Sequence, residues 1–284
     1  MAKIISGKEV AAALNQKTAK EVAELKAKGV EVSLAVILVG DDPASKVYVN
    51  NKKKSCEKLG ITSYEFLLPA ETQQSELLAL IDELNSRDDI SGILCQLPLP
   101  SHLDERAVLD AVSPNKDVDC FNPVNVGKMT AGIGKLLPCT PAGIMEMLAF
   151  EGISPKGKTC AVIGRSNIVG KPISTLMLNA DATVTICHSK TQNLSAITSK
   201  ADILIAAVGK PLFVKADMVK EGAVVIDVGI HRKEDGKLCG DVDFADVEPK
   251  VSYITPVPGG VGPMTIAQLM QNTVVAAKIN NNLI

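Results

Sequence analysis

Tryptophan is absent, aromatics make up 3% of the chain, and histidine occurs three times. So few rings leave no base-stacking platform and no aromatic sugar-binding wall. Three histidines without paired-ligand spacing offer no zinc site, so no metal centre is expected. No C-x-x-C pair occurs, and the cysteine count, seven, is odd. Several cysteines sit in apolar runs such as Ile93-Leu94-Cys95, where the thiol acts as a small hydrophobe. That usage fits a reducing compartment, and a cytoplasmic protein is expected. Charge of either sign is not in excess: 30 basic against 32 acidic residues leave −2. Neither nucleic acid nor a membrane surface is therefore expected as a partner. No apolar run approaches the roughly 18 residues of a spanning helix. The segment Met1–Gly7 lacks the apolar stretch of a signal peptide and the arginines of a transit peptide.

What is present is ordinary globular material. With 284 residues, 46% of them hydrophobic, the chain predicts two domains with sizeable cores. Strand-like runs at Leu34–Val39, Tyr64–Leu68 and Ile90–Leu97 alternate with helical patterns near 43–59, at Ser75–Asn85 and at Asp104–Val112. Residues 113–140 break this rhythm with Pro114, Pro123, Gly127, Gly132, Gly134 and Pro138, and read as a linker or functional loop. Thr140-Pro141 opens a helix to about Glu151. A second series follows, with strands Thr159–Ile163, Thr183–Cys187, Ile203–Val208, Val224–Val228 and Ser252–Thr255, and a last helix at Met264–Ile279. Such alternation predicts α/β architecture with parallel sheets. The expected division is a first domain over 1–139 and a second over 140–263, with the helix of 264–284 packing back toward the first.

The strand Thr159–Ile163 runs into Gly164-Arg165-Ser166-Asn167-Ile168-Val169-Gly170 and then a helix. Gly164 permits a tight turn, Gly170 permits close helix–strand approach, and free helix-start amides favour a pyrophosphate. Ser166 stands where the middle glycine of the dinucleotide fingerprint would be. An acid about 20 residues on would bind a ribose 2′-hydroxyl. Here the next strand ends instead in His188-Ser189-Lys190-Thr191. A carboxylate would repel a 2′-phosphate, whereas Arg165, Ser189 and Lys190 can donate to one, so the pattern favours NADP.

Tyr48, Lys52, Cys56 and Leu59 recur at helical spacing and share one face. A lysine on that face beside a phenol is partly desolvated, which lowers its pKa toward acid/base use. A solvated basic face with a snorkelling Lys52 is the plainer alternative. Gln96 lies at the carboxyl end of a buried strand, the edge where open α/β sheets bind ligands. Asp117 and Asp119 alternate in a loop, where they either serve turn chemistry or present a carboxylate to a cleft.

Together these segments resemble the FolD family of bifunctional methylenetetrahydrofolate dehydrogenase/methenyltetrahydrofolate cyclohydrolases. The likeness spans essentially the whole chain. It rests on Tyr48-Val49-x-x-Lys52-x-Lys54, Gln96-Leu97-Pro98-Leu99-Pro100, Lys116-Asp117-Val118-Asp119 and Cys139-Thr140-Pro141. It continues through Gly164-Arg165-Ser166-x-x-Val169-Gly170-x-Pro172, His188-Ser189-Lys190-Thr191, Asp227-x-Gly229-Ile230 and Thr255-Pro256-Val257-Pro258-Gly259-Gly260-Val261-Gly262-Pro263-Met264-Thr265.

The resemblance implies two three-layer α/β domains with a cleft between them, the second a Rossmann-like NADP-binding domain, and a homodimer. It implies NADP-dependent oxidation of methylenetetrahydrofolate to the methenyl cation, then hydrolysis to 10-formyltetrahydrofolate. The residues it assigns are Lys52 as the main catalytic group, Tyr48 and Gln96 as tuning it, and Asp119 on the pterin. Gly164, Arg165, Ser166, Ser189 and Ile230 would hold NADP, and Pro258, Gly259 and Gly260 would approach the folate. Lys53 and Lys54 are candidates to attract its glutamate tail. No formyltetrahydrofolate synthetase domain is expected after Ile284. One position departs from the family pattern: Cys120 follows Asp119 where the family has glycine, which is strained if that backbone needs a positive φ. The competing readings are another two-domain NADP-dependent dehydrogenase, of shikimate type, and a non-catalytic NADP-binding sensor.

Overall fold

Seven consecutive buried residues, Ser33–Val39, show how the fold is built. In a strand, neighbouring side chains point to opposite faces. Leu34, Val36 and Leu38 enter one core, with Val22, Leu25, Cys56, Leu59, Met270 and Val274. Ala35, Ile37 and Val39 enter another, with Leu77, Ile81, Leu84, Leu103 and Val108. A strand buried on both faces must lie inside a parallel sheet covered by helices on each side. The computed structural model describes residues 1–284, the side chain of Ala44 excepted.

In chain order the elements are β1 (Lys3–Ile4), α1 (Gly7–Ala27), β2 (Ser33–Val39), α2 (Pro43–Leu59), β3 (Thr62–Leu68), α3 (Gln74–Ser86) and β4 (Gly92–Cys95). Three helices follow: α4 (Glu105–Ala111), α5 (Pro123–Thr130) and α6 (Cys139–Phe150). Then come β5 (Thr159–Ile163), α7 (Gly170–Asn179), β6 (Thr183–Cys187), α8 (Leu194–Thr198), β7 (Ile203–Ala206) and β8 (Val224–Asp227). The chain closes with β9 (His231–Arg232), β10 (Leu238–Cys239), α9 (Phe244–Val247), β11 (Tyr253–Ile254) and α10 (Val261–Asn280).

Two bodies result. Ala13–Cys139 with Ile266–Ile284 carries the three-stranded parallel sheet β3-β2-β4. Met1–Ala12 with Thr140–Thr265 carries the six-stranded parallel sheet β1-β11-β8-β7-β5-β6. The first twelve residues therefore depart from the expected division. Lys3 and Ile4 register with Tyr253 and Ile254, so β1 extends the six-stranded sheet. A two-residue strand acquires its place only from a partner far along the chain, which local pattern cannot show.

Within the six-stranded sheet, β6 lies on one side of β5 and β7 on the other. The carboxyl ends of β5 and β7 thus flank a topological switch point, where open α/β sheets bind ligands. In the three-stranded body, α2 starts at an N-cap, Asp42, whose carboxylate accepts from Ser45 N at 2.8 Å, with Pro43 in the first turn. Gly60 ends it in the left-handed conformation at φ 74°. Among the described residues no helix is long and apolar enough to cross a membrane.

Candidate active site

The buried stripe of α2 runs Ser45, Val49, Cys56 and Leu59, with Lys52 half-buried within it. Steps of three and four residues keep these side chains on one face. Tyr48 falls one position off and is 48% exposed, so it borders the stripe rather than sharing it, a correction to the expected alignment. Gln96 follows β4, and its amide donates to Ile37 O at 2.9 Å, which extends the ladder one residue past the strand. From there its side chain meets the lysine: Lys52 Nζ donates to Gln96 Oε1 at 2.8 Å.

Burial pushes the Lys52 ammonium below the ordinary lysine value, and the nearby Asp119 carboxylate works against that shift. Burial pushes the Asp119 carboxyl up in turn, and Lys52 draws it back. Each group supports the charged form of the other at a site that penalises both. Cys139 completes the cluster, its Sγ donating toward Val118 O at 3.3 Å or Asp119 Oδ1 at 3.6 Å. All seven cysteines are unpaired and buried.

The Lys116–Asp119 segment divides its polar groups between two tasks. Lys116 Nζ donates to Leu84 O and Arg87 O at 3.1 and 2.6 Å and so closes the end of α3. Asp117 accepts from Phe121 N at 3.2 Å, Asn122 N at 2.9 Å and Asn125 Nδ2 at 3.0 Å. It is the organiser of the loop, and only Asp119 remains to face the lysine. Residues 113–140 are also less irregular than their punctuation predicts. Asn122 caps α5 through Val124 N, Pro123 occupies its first turn, and Gly127 lies inside it. Cys120 takes φ 61° and is fully buried. Lys53, one of the two candidates for the glutamate tail, pairs with Glu65 at 2.9 Å.

In the six-stranded body, Gly164 adopts φ 128°, and a Cβ there would stand 2.1 Å from Ala207 O. A Cβ on Gly170 would stand 2.3 Å from Gly164 O. Only glycine fits either place, and both places are at the switch point. Ser166 Oγ accepts from Val169 N and Gly170 N at 3.2 Å, so the serine caps α7. Arg165, Ser189 and Lys190 are exposed and, among the described residues, have no side-chain hydrogen bond or ion pair. Three unpartnered donors, in loops after β5 and β6 whose sequences carry no Asp or Glu, fit an anion such as a 2′-phosphate.

A pocket of about 220 Å³ in the same body is lined by Ile230, Pro258, Gly259 and Gly260, together with Lys8 and Asp227. Lys8 has no local signal in the sequence, being a lone lysine near the N-terminus. Under the pocket, Asp227 accepts from Gly229 N, Asp241 N and Val242 N at 3.0, 2.9 and 2.9 Å, and burial raises its carboxyl to about 6. Asp241 accepts from Val208 N, Gly209 N and Lys210 N, and its Oδ1 lies 2.7 Å from His231 Nε2. These two carboxylates tie the ends of β7 and β8 to the Gly229-Ile230 turn. Asp241 carries no local signal either, because three of its partners lie 31 to 33 residues before it.

Residues 5–119 match the family described as tetrahydrofolate dehydrogenase/cyclohydrolase, catalytic domain. Residues 138–281 match its NAD(P)-binding domain. A bifunctional protein FolD of Lachnoclostridium phytofermentans is 59% identical over 278 residues, covering 98% of this chain and 99% of the relative. The crystal structure of the FolD dehydrogenase/cyclohydrolase of Campylobacter jejuni superposes with a TM-score of 0.97 at 50% identity, covering 98% of this chain and 99% of that one. The Trypanosoma brucei dehydrogenase-cyclohydrolase, solved with NADP cofactor and an inhibitor, gives 0.92 at 39% identity and covers 98% of each chain.

Proposed function

The chain belongs to the tetrahydrofolate dehydrogenase/cyclohydrolase family, and from that premise we infer how its own residues serve the two reactions. The enzyme oxidises 5,10-methylenetetrahydrofolate to 5,10-methenyltetrahydrofolate with NADP and hydrolyses the product to 10-formyltetrahydrofolate. The observation that carries the residue assignment is the hydrogen bond from the half-buried Lys52 amine to Gln96, with Asp119 beside it.

Bound NADP⁺ supplies the hydride acceptor for the methylene carbon. Gly164 and Gly170 leave room for it at the switch point, Arg165, Ser189 and Lys190 donate to its phosphate, Ser166 orders the helix start, and Ile230 offers an apolar contact. Pro258, Gly259 and Gly260 bring backbone to the folate. Asp119 accepts from the amino edge of the pterin. The oxidised product is a cation, which disfavours a second positive charge nearby and adds to the burial that shifts Lys52 toward its neutral form. Neutral Lys52 takes a proton from water as its oxygen bonds to the methenyl carbon. It returns that proton to a ring nitrogen as the carbon–nitrogen bond breaks, and the remaining hydroxyl proton leaves to solvent as the formyl C=O forms. Gln96 and Tyr48 orient the amine through this exchange.

The reading extends to a homodimer in the cytoplasm that provides one-carbon units for purine, methionine and histidine biosynthesis. Seven unpaired cysteines support a reducing compartment, and a net charge of −2 supports small-molecule rather than nucleic-acid partners.

The test is spectroscopic. Protein, methylenetetrahydrofolate and NADP⁺ are mixed, and NADPH is followed together with the methenyl species. Both should form, the methenyl species transiently. NADPH without any decay of the methenyl species beyond the uncatalysed rate would remove the second activity.

A further inference from the structure

Behind Asp119 lies a buried amide that neither the motifs nor the mechanism uses. Asn272, on α10, is 1% exposed. Its Nδ2 donates to Val118 O and to Leu137 O, each at 2.7 Å, and lies 3.6 Å from Cys139 Sγ. Two carbonyls take both amide hydrogens, so the side-chain flip is dictated. Asn272 Oδ1 is left to accept from Gln268 Nε2 at 3.2 Å, which orients the Gln268 amide so that its Oε1 is buried without a donor among the described residues. The network is thus arranged for the needs of Asn272 even where that strands an oxygen on its neighbour.

Val118 and Leu137 bracket the segment that contains Asp119, Cys120 and α5. One side chain therefore closes both ends of an eighteen-residue excursion, 119–136. The Asp119 carboxylate has few bonds of its own that could fix it. Cys139 Sγ approaches it at 3.6 Å, with Val118 O competing for the one thiol hydrogen at 3.3 Å, and the sulfur packs 3.6 Å from Asn272 Nδ2. Where the carboxylate stands consequently depends on the backbone at 118 and on the thiol at 139, and Asn272 touches both.

We propose that Asn272 is a positioning residue of the Lys52–Asp119 centre, holding the Val118 carbonyl by a hydrogen bond and the Cys139 sulfur by contact so that Asp119 faces the lysine. The proposal rests on the reading that Lys52 and Asp119 serve the folate chemistry. It assigns Asn272 no contact with substrate or cofactor.

The experiment compares Asn272→Leu, Asn272→Ser, Asp119→Ala and Thr273→Val in the full chain. Leucine keeps the volume and removes the donors; serine admits water to the two carbonyls. Thr273 is equally buried but bonds within its own helix, to Leu269 O at 2.8 Å, so its variant reports on packing alone. Asn272→Leu should raise the KM for methylenetetrahydrofolate about tenfold and displace the pH limb of cyclohydrolysis, with the KM for NADP unchanged. Asn272→Ser should do the same to a smaller extent, and Thr273→Val should do neither. A fall in kcat alone, with folate KM and pH limb unmoved, would mean fewer active molecules and would overturn the proposal. Loss of the cooperative thermal transition in both Asn272 variants would make the residue merely structural and would overturn it too. If Asp119→Ala itself leaves the folate KM and pH limb untouched, the assignment of the centre fails instead, which separates the two errors.

Discussion

Lys52 Nζ donates to Gln96 Oε1 at 2.8 Å, and Gln96 Nε2 donates onward to Leu97 O at 2.6 Å. The second bond fixes which way the amide faces, so the lysine meets an oxygen. A neutral oxygen holds the amine in place without the full charge that would keep it protonated. The arrangement separates orientation from ionisation, which a carboxylate in the same position could not do.

Gln96→Glu tests that separation. A carboxylate within about 4–6 Å of an amine favours the ammonium and raises its pKa by about 1–3 units. At a fixed pH the neutral fraction of Lys52 then falls. On the proposed mechanism, in which the neutral amine takes the water proton, cyclohydrolase activity should rise with pH along a limb displaced to the alkaline side by a unit or more. A pH–rate profile of the purified variant reads this directly. A limb that stays in place, or moves toward acid, would show that lysine ionisation does not limit the step.

Lys52→Met keeps the length of the side chain and removes its nitrogen. Acid/base groups of this kind contribute about 10²–10⁴-fold to rate. Cyclohydrolase activity should fall by at least the lower figure. Affinity for NADP, measured by calorimetry without folate, should not change, because the donors assigned to NADP lie in the other body. Loss of NADP binding in parallel would refute the division of labour.

Much of the six-stranded body can be read from local pattern. The bounds of β5 and β6 coincide with those predicted, and α7 follows the glycine loop as expected, because a glycine turn between a β-branched run and an amphipathic helix is a self-contained signal. The parts that escape reading are those fixed at a distance. β1 is two residues that need Tyr253 and Ile254 for their meaning. α5 hides because Pro123 and Gly127 look like punctuation, although proline is welcome in a first turn. The site divides in the same way. Lys52 stands out by spacing and Gln96 by its strand end, whereas Asp117 and Asp119 are alike in sequence and differ only in which groups surround them.

Arg165→Ala addresses cofactor choice. Arg165 is exposed and unpaired among the described residues, so its guanidinium is available for a phosphate. A charge-assisted hydrogen bond contributes about 1.5–3 kcal/mol, so the KM for NADP should rise roughly 10- to 100-fold. NAD lacks the 2′-phosphate, and its KM should stay within about twofold. Initial rates with both cofactors decide the matter, and equal losses would detach Arg165 from the 2′-phosphate.

Cys120 holds a positive φ of 61° while its side chain is fully buried, with Sγ donating to Leu136 O at 3.3 Å. The two facts pull in opposite directions. A left-handed conformation costs a residue with a Cβ about 1–2 kcal/mol, whereas burial and the weak sulfur bond favour keeping the thiol. Replacement by alanine loses the sulfur and retains the strain; replacement by glycine loses the sulfur and relieves it. Cys120→Ala should therefore be less stable than Cys120→Gly by about 1 kcal/mol. That is the reverse of the order in a helix interior, where glycine is worse than alanine by about the same amount. Urea unfolding of the two variants, with unchanged slopes, measures the difference. Equal midpoints, or alanine above glycine, would mean that the backbone beside Asp119 relaxes once the thiol is gone and that the thiol itself imposes the turn.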